Sequence, residues 1–285
     1  MQRRLFGGIL SVVLLLVAFW QAQNTSVPHD ANASNNAPPP TPTRPEPSLA
    51  KAGVPTSPAS GRGFNTRIEN FAEAKRLLRE SIYKDNYKTF YCACDVDHGR
   101  VNVSTCGYQA NTKKHGNIRI EWEHIVPASV LGNYLPEWRD GHVRCTHRTG
   151  KHFRGRECAG RVSKKFQMLE ADMHNLVPAL GPLNRARSNL AYGDVPGEMR
   201  SFGRCDFEIS KERAEPMPSI RGFIARAYLY MNMAYPESKI IHEGNQAIFT
   251  RWDLEHPPEP WECERNTKIK NIQGNENSFI TKRCP

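Results

Sequence analysis

The spacing of apolar positions changes several times along the chain, and each spacing predicts a different element. Ile118, Ile120, Trp122 and His124 alternate with Arg119, Glu121 and Glu123. A period of two predicts a half-buried strand, and Pro127 stops it because proline cannot donate to a ladder. In "NTRIENFAEAKRLLRESIYKD", Ile68, Phe71, Leu78 and Ile82 fall at helical spacing. "TFYCACDVD" is short and β-prone, and a turn around Gly107 and Gly116 leads into the alternating strand. "SKKFQMLEADMHNL" predicts a helix with Phe166, Leu169 and Met173 on one side, ended by Pro178, Gly181 and Pro182. "PSIRGFIARAYLYMNMAYP" predicts a long amphipathic helix, the most apolar of the set, and "NQAIFTRWDLEHPP" and "WECERNTKIKNIQ" predict two shorter ones. No internal repeat is present. The mixture predicts an α+β fold of helices with a few short strands.

The ends of this pattern differ from its middle. Residues 1–23 combine a basic start with an apolar run from Leu5 to Trp20, which reads as an export leader. Trp20 stands where a cleavage site wants a small residue, so a cleaved signal peptide and an uncleaved membrane anchor both stay open. Residues 24–63 are rich in Pro, Ser, Asn, Ala and Thr. Such a segment buries too little to form a core and reads as a disordered or extended tether. The folded domain is therefore expected over residues 64–285.

Charge and cysteine add to this picture. The chain of 285 residues has a net charge of +10, of which Arg3 and Arg4 contribute only a small part. A basic surface favours polyanions by counterion release, and anionic membranes equally. The cysteines are Cys92, Cys94, Cys106, Cys145, Cys158, Cys205, Cys263 and Cys284. An even number in an exported chain predicts four disulfides, whose pairing the sequence does not choose. A bridge at Cys284 would pin the C-terminal tail. A rival reading is a zinc site made by Cys145, His147, His152 and Cys158. It is weaker, because the spacing is irregular and export favours oxidation. Residues 139–165 carry nine Lys or Arg against Asp140 and Glu157. Their glycines predict a loop, either a solvated basic loop or an arm that grips phosphates.

The metalloprotease His-Glu-x-x-His, the hydrolase Gly-x-Ser-x-Gly and the nucleotide-binding phosphate loop are all absent. What remains is a Glu-Trp-Glu-His strand end. Imidazole is a suitable base near neutral pH. Glu123 with an asparagine, Asn175 or Asn184, would suffice for magnesium, which takes oxygen ligands and keeps several waters. Phosphodiester hydrolysis needs both parts. Neighbours in an ideal strand point to opposite faces, so Glu123 and His124 can share a site only if the strand bends. The bland reading is a buried strand end with a satisfied histidine, and for Asn175 a cap or loop hydrogen bond.

"RIEWEHIVPAS" resembles the signature of the bacterial endonuclease I family. "MLEADMHNLVPALGPLNRARSN", "RGFIARAYLYM" and "WECERNTKIKNIQGNENSFITKRCP" match it further in the same order, so the resemblance covers roughly residues 64–285. It implies a fold with short antiparallel strands, a ββα-metal (His-Me finger) active site and a disulfide pattern like the one expected here. It also implies a monomeric periplasmic or secreted nuclease that uses Mg2+, or another divalent cation, and cleaves DNA and usually RNA with little sequence preference. Carried over by motif, His124 is the general base, Glu123 and Asn184 are metal ligands, and Glu170 is an acidic residue of the same site. Arg156 steadies the transition state. The loop between His124 and Glu170 is longer than usual, which makes Arg154 the alternative. Arg148, Lys151, Arg154 and Arg187 are expected to hold nucleic-acid phosphates. Two other functions stay in view: a nucleic-acid-binding or DNA-uptake protein with a decayed site, and a hydrolase of another phosphodiester such as a lipid headgroup.

Overall fold

The computed structural model describes residues 63–109, 118–197 and 199–285. The expected leader (1–23) and, apart from Gly63, the tether (24–63) lie outside the described residues, as does Gly116. Among the described residues no helix is long and apolar enough to cross a membrane.

The first helix, α1 (Phe71–Leu77), starts at Asn70, whose side chain accepts from the Glu73 N–H and so satisfies one of the free donors of the first turn. It runs into a π turn, Leu78–Ile82. A hairpin follows, β1 (Asp95–Asp97) and β2 (Arg100–Asn102), turned by His98 and Gly99 at positive φ. The alternating run forms β3 (Ile120–His124). Short helices α2 (Ala128–Gly132), α3 (Pro136–Arg139), α4 (Arg156–Val162) and α5 (Lys164–Glu170) come next. Then come β4 (Leu176–Leu180) and α6 (Gly181–Arg187). The strands β5 (Ala191–Tyr192), β6 (Phe207–Ile209) and β7 (Arg213–Pro216) form a small sheet in the order β5-β7-β6. The chain closes with α7 (Pro218–Ala234), α8 (Glu243–Glu255), α9 (Pro260–Gln273) and α10 (Ser278–Thr281). The fold is α+β.

The antiparallel pair β3–β4, with His124 opposite Leu176 and Ile120 opposite Leu180, separates two apolar cores. Val177 and Ala179 belong to the larger one, with Ile224, Tyr230, Phe249 and Trp252 of α7 and α8. Leu176 belongs to the smaller one under α1, with Leu78, Ile82, Met173 and Ile269. The closest approach of α7 to the end of α8 needs Gly222, because a Cβ there would meet the His256 carbonyl at 2.0 Å.

The helix expected over "SKKFQMLEADMHNL" ends at Glu170, and the chain passes through a single 3-10 turn, Met173–Asn175, into a strand. The buried Asp172 carboxylate breaks the helix: it accepts from the His174 N–H, the Tyr230 and Tyr235 hydroxyls and the Gln273 amide. Gly181 and Pro182 begin α6 rather than ending a helix, since a proline in the first turn loses no hydrogen bond. The basic segment is also only partly a loop, because α4 starts at Arg156.

The four disulfides are Cys92–Cys205, Cys94–Cys106, Cys145–Cys158 and Cys263–Cys284. The last one ties the C-terminal tail to α9, as expected. The Cys145–Cys158 bridge overturns the zinc reading, because its sulfurs are bonded to each other and supply no thiolate.

Candidate active site

The last two residues of β3 do point to opposite sides, and the structure shows how they still meet. Glu123 turns toward the larger core, where its Oε1 accepts from the Tyr91 hydroxyl at 2.7 Å and from Arg187 Nη1 at 2.9 Å. His124 turns toward α1, its ring 4.9 Å from the Phe71 ring. Beyond them the strand end is held by side chains. Arg187 also donates to the carbonyls of His124 (2.9 Å) and Ile125 (2.7 Å). Asn175 accepts from the Val126 N–H at 2.7 Å and donates to its carbonyl at 3.0 Å. Glu123, His124, Arg156 and Asn184 all line one open cleft of about 340 Å³, with Trp122 and Trp138 as apolar walls.

The His124 ring has one orientation that its partners allow. Its Nε2 lies 2.9 Å from the Glu170 backbone carbonyl. A carbonyl only accepts, so the proton sits on Nε2 and the neutral ring keeps a lone pair on Nδ1. Burial, then the Arg156 charge, pull this imidazole down to about 3, so it stays an unprotonated base. Burial pushes the Glu123 carboxyl up, and Arg187 and the Tyr91 hydroxyl draw it back.

Glu170 takes part twice: its carbonyl orients His124, and its carboxylate pairs with Arg156 Nε at 2.5 Å. Arg156 is half exposed and stands over the Phe71 ring. Arg154, by contrast, donates to the Arg139 carbonyl at 3.3 Å and does not line the cleft. Arg148 and Lys151 are exposed on the loop before α4, which a bridge between Thr146 and His152 narrows. Arg187 corrects its expected role: with a fully buried side chain bonded to Glu123, it is out of reach of a polyanion.

The donor set suits a hard divalent cation. Among the described residues Glu123 Oε2 accepts no hydrogen bond, and the Asn184 amide donates its Nδ2 to Glu121 at 3.2 Å, leaving Oδ1 without a protein partner. Asn175, the other asparagine considered, is spent on Val126. Glu121 and Tyr91 were not expected to matter. Glu121 shares a strand face with Glu123 and holds both Asn184 and Arg185, which the period of two already implied. Tyr91 carries no sequence signal beyond lying in a short apolar run.

The family model described as Endonuclease I matches residues 70–284. The chain is 39% identical over 223 residues, 76% of its length and 82% of the relative's, to a protein of Buchnera aphidicola subsp. Acyrthosiphon pisum named Endonuclease-1. It is 36% identical over 248 residues, 85% of its length and 99% of the relative's, to an extracellular deoxyribonuclease of Aeromonas hydrophila. It is also 36% identical over 223 residues, 75% of its length and 87% of the relative's, to a periplasmic deoxyribonuclease of the same organism.

Proposed function

The chain belongs to the endonuclease I family, and from that premise we propose that it is an exported, divalent-metal-dependent nuclease that cleaves DNA, and RNA, without sequence preference. One observation carries the reading: Glu123, His124, Arg156 and Asn184, from three distant parts of the chain, line a single cleft. The order β3, β4, α6, strand-strand-helix with the base on the first strand, fits a ββα-metal unit.

Glu123 Oε2 and Asn184 Oδ1 are the atoms that would hold Mg2+. When bound, it supplies Lewis-acid chemistry, offsetting charge on the phosphate and on the leaving oxygen. The remaining work falls to the side chains. His124 Nδ1 takes a proton from water while Nε2 stays anchored on the Glu170 carbonyl. The water oxygen bonds to phosphorus as the bond to the 3′ oxygen breaks, which leaves a 5′ phosphate. Arg156, braced by Glu170, faces the charge that builds on the phosphoryl oxygens. Tyr91 and Arg187 fix the aim of Glu123. These groups address phosphate rather than base edges, so the reaction is blind to sequence. Four disulfides and the leader-like N-terminus favour an oxidising compartment, periplasmic or extracellular.

The test is digestion of plasmid, single-stranded DNA and RNA across a magnesium titration, with and without chelator. Cleavage of all three that stops on chelation is expected, with 5′-phosphate ends. Binding without cleavage at any metal concentration would instead mark a decayed, binding-only protein. Cleavage that survives chelation would remove the metal from the mechanism.

A further inference from the structure

Trp122 walls two cavities, and only one of them holds the reacting groups. The second, about 470 Å³, lies on the α1 side and is lined by Lys75, Arg79, Arg119 and Tyr87 besides Trp122. We propose that it is a subsite for an unstacked nucleotide next to the scissile phosphate, so that the preferred substrate is a single strand or a locally opened duplex. This rests on the nuclease reading above.

The size lies within the roughly 300–1,000 Å³ typical of ligand pockets, and the chemistry is that of a single-strand groove, which combines cations with aromatic faces. Lys75 on α1 and Arg79 on the π turn that follows it both face this cavity. Arg119 comes from the opposite wall, just before β3, and is mostly exposed although it lies 3.5 Å from Glu121. Among the described residues the lining has three cations and no carboxylate. The Tyr87 and Trp122 rings are inclined by only 28°, with centroids 6.5 Å apart, a stacked pair that a further flat ring can extend. Tyr83 packs edge-on against Trp122, which keeps that ring in place.

The cavity is also joined to the catalytic base. Lys75 Nζ lies 4.4 Å from the centre of the Phe71 ring, and that ring packs on His124. A strand whose phosphate sits before His124 therefore reaches the second cavity by passing Trp122. A base laid on Trp122 and Tyr87 must leave its stack in a duplex. A single strand has less stacking to lose, which sets the preference.

The experiment measures binding and small-substrate hydrolysis separately, using the full chain. Binding of a short fluorescein-labelled oligothymidylate is followed by anisotropy in chelator, so that no cleavage intervenes. A blunt hairpin duplex serves as the comparison. Arg79→Ala and Tyr87→Ala are each expected to weaken oligothymidylate binding by about fivefold or more, and the duplex less, while Tyr87→Phe keeps parental affinity. Hydrolysis of bis(p-nitrophenyl) phosphate with magnesium, a diester too small to span both cavities, should be unchanged in Arg79→Ala. Arg79 is exposed, so this variant stands even if Tyr87→Ala fails to fold. Parental affinity in both alanine variants, or equal losses on strand and duplex, would overturn the subsite while parental digestion of DNA kept the nuclease. A parent that binds the oligonucleotide but never cleaves would overturn the nuclease and leave the subsite.

Discussion

Arg187 Nη1 lies 2.9 Å from the Glu123 carboxylate, and water reaches essentially neither side chain. The same guanidinium holds the carbonyls of His124 and Ile125 and stacks over Tyr192 at 4.4 Å. One residue thus aims the candidate metal ligand and sets the end of the strand that carries His124. Removing one partner of a buried pair typically destabilises by about 3–5 kcal/mol. Arg187→Ala should lose stability of that order in urea unfolding. Arg187→Lys should recover only part, because an ammonium cannot span a carboxylate and two carbonyls as a planar fork does. Full stability in the lysine variant would show that charge alone is enough.

Among the described residues His124 has one ring nitrogen anchored and no partner on the other, the arrangement of a positioned base. His124→Ala should lower the rate of plasmid digestion by about 10²–10⁴-fold, with part of the loss restored by added imidazole. A variant that digests at the parental rate would remove His124 from the chemistry.

Arg148 and Lys151 sit on an exposed loop closed by Cys145–Cys158, and no carboxylate pairs with either among the described residues. If both touch duplex phosphates, the double alanine variant should bind DNA more weakly. Its plot of log affinity against log salt should be shallower by about 0.9 for each phosphate that is no longer neutralised. Hydrolysis of the small diester should not change. An unaltered salt slope would leave the loop as a solvated one with no grip on DNA.

Acid stability should carry the mark of His174. Its Nε2–H donates to the Asn275 carbonyl at 3.1 Å, its Nδ1 has no partner among the described residues, and burial pulls the imidazole down from 6.5 to about 4. The unfolded chain takes up this proton before the folded one does. The stabilisation is therefore present in full above pH 6.5 and is lost as the pH falls toward about 4, by about 3 kcal/mol in all. Urea unfolding across that range should show a shallower decline in His174→Gln than in the parent. Parallel curves would mean that His174 titrates normally.

The first strand of the β3–β4 pair was legible because its alternation is strict, and the long helix Pro218–Ala234 because its apolar stripe is continuous. The partner strand was not. "LVPAL" has no alternation, since both of its faces are buried, and short apolar runs do not distinguish strand from helix. The break before it depends on an aspartate that meets Tyr230 and Tyr235 from far along the chain. Local sequence also showed the Glu123–His124 neighbourhood while implying that the two diverge. Arg187, which holds the Glu123 carboxylate and the His124 carbonyl, reads as one more surface cation in a basic chain. Burial, which decides between gripping DNA and bracing a carboxylate, is a property of the whole fold.

Tyr91, whose hydroxyl steadies Glu123, is the chain neighbour of Cys92, and Cys92 is bonded to Cys205 across 113 residues. Where glutathione keeps thiols reduced, that closure does not form, and the tyrosine loses the anchor beside it. A nuclease built this way would lose the aim of Glu123 wherever its thiols are kept reduced, and regain it on oxidation.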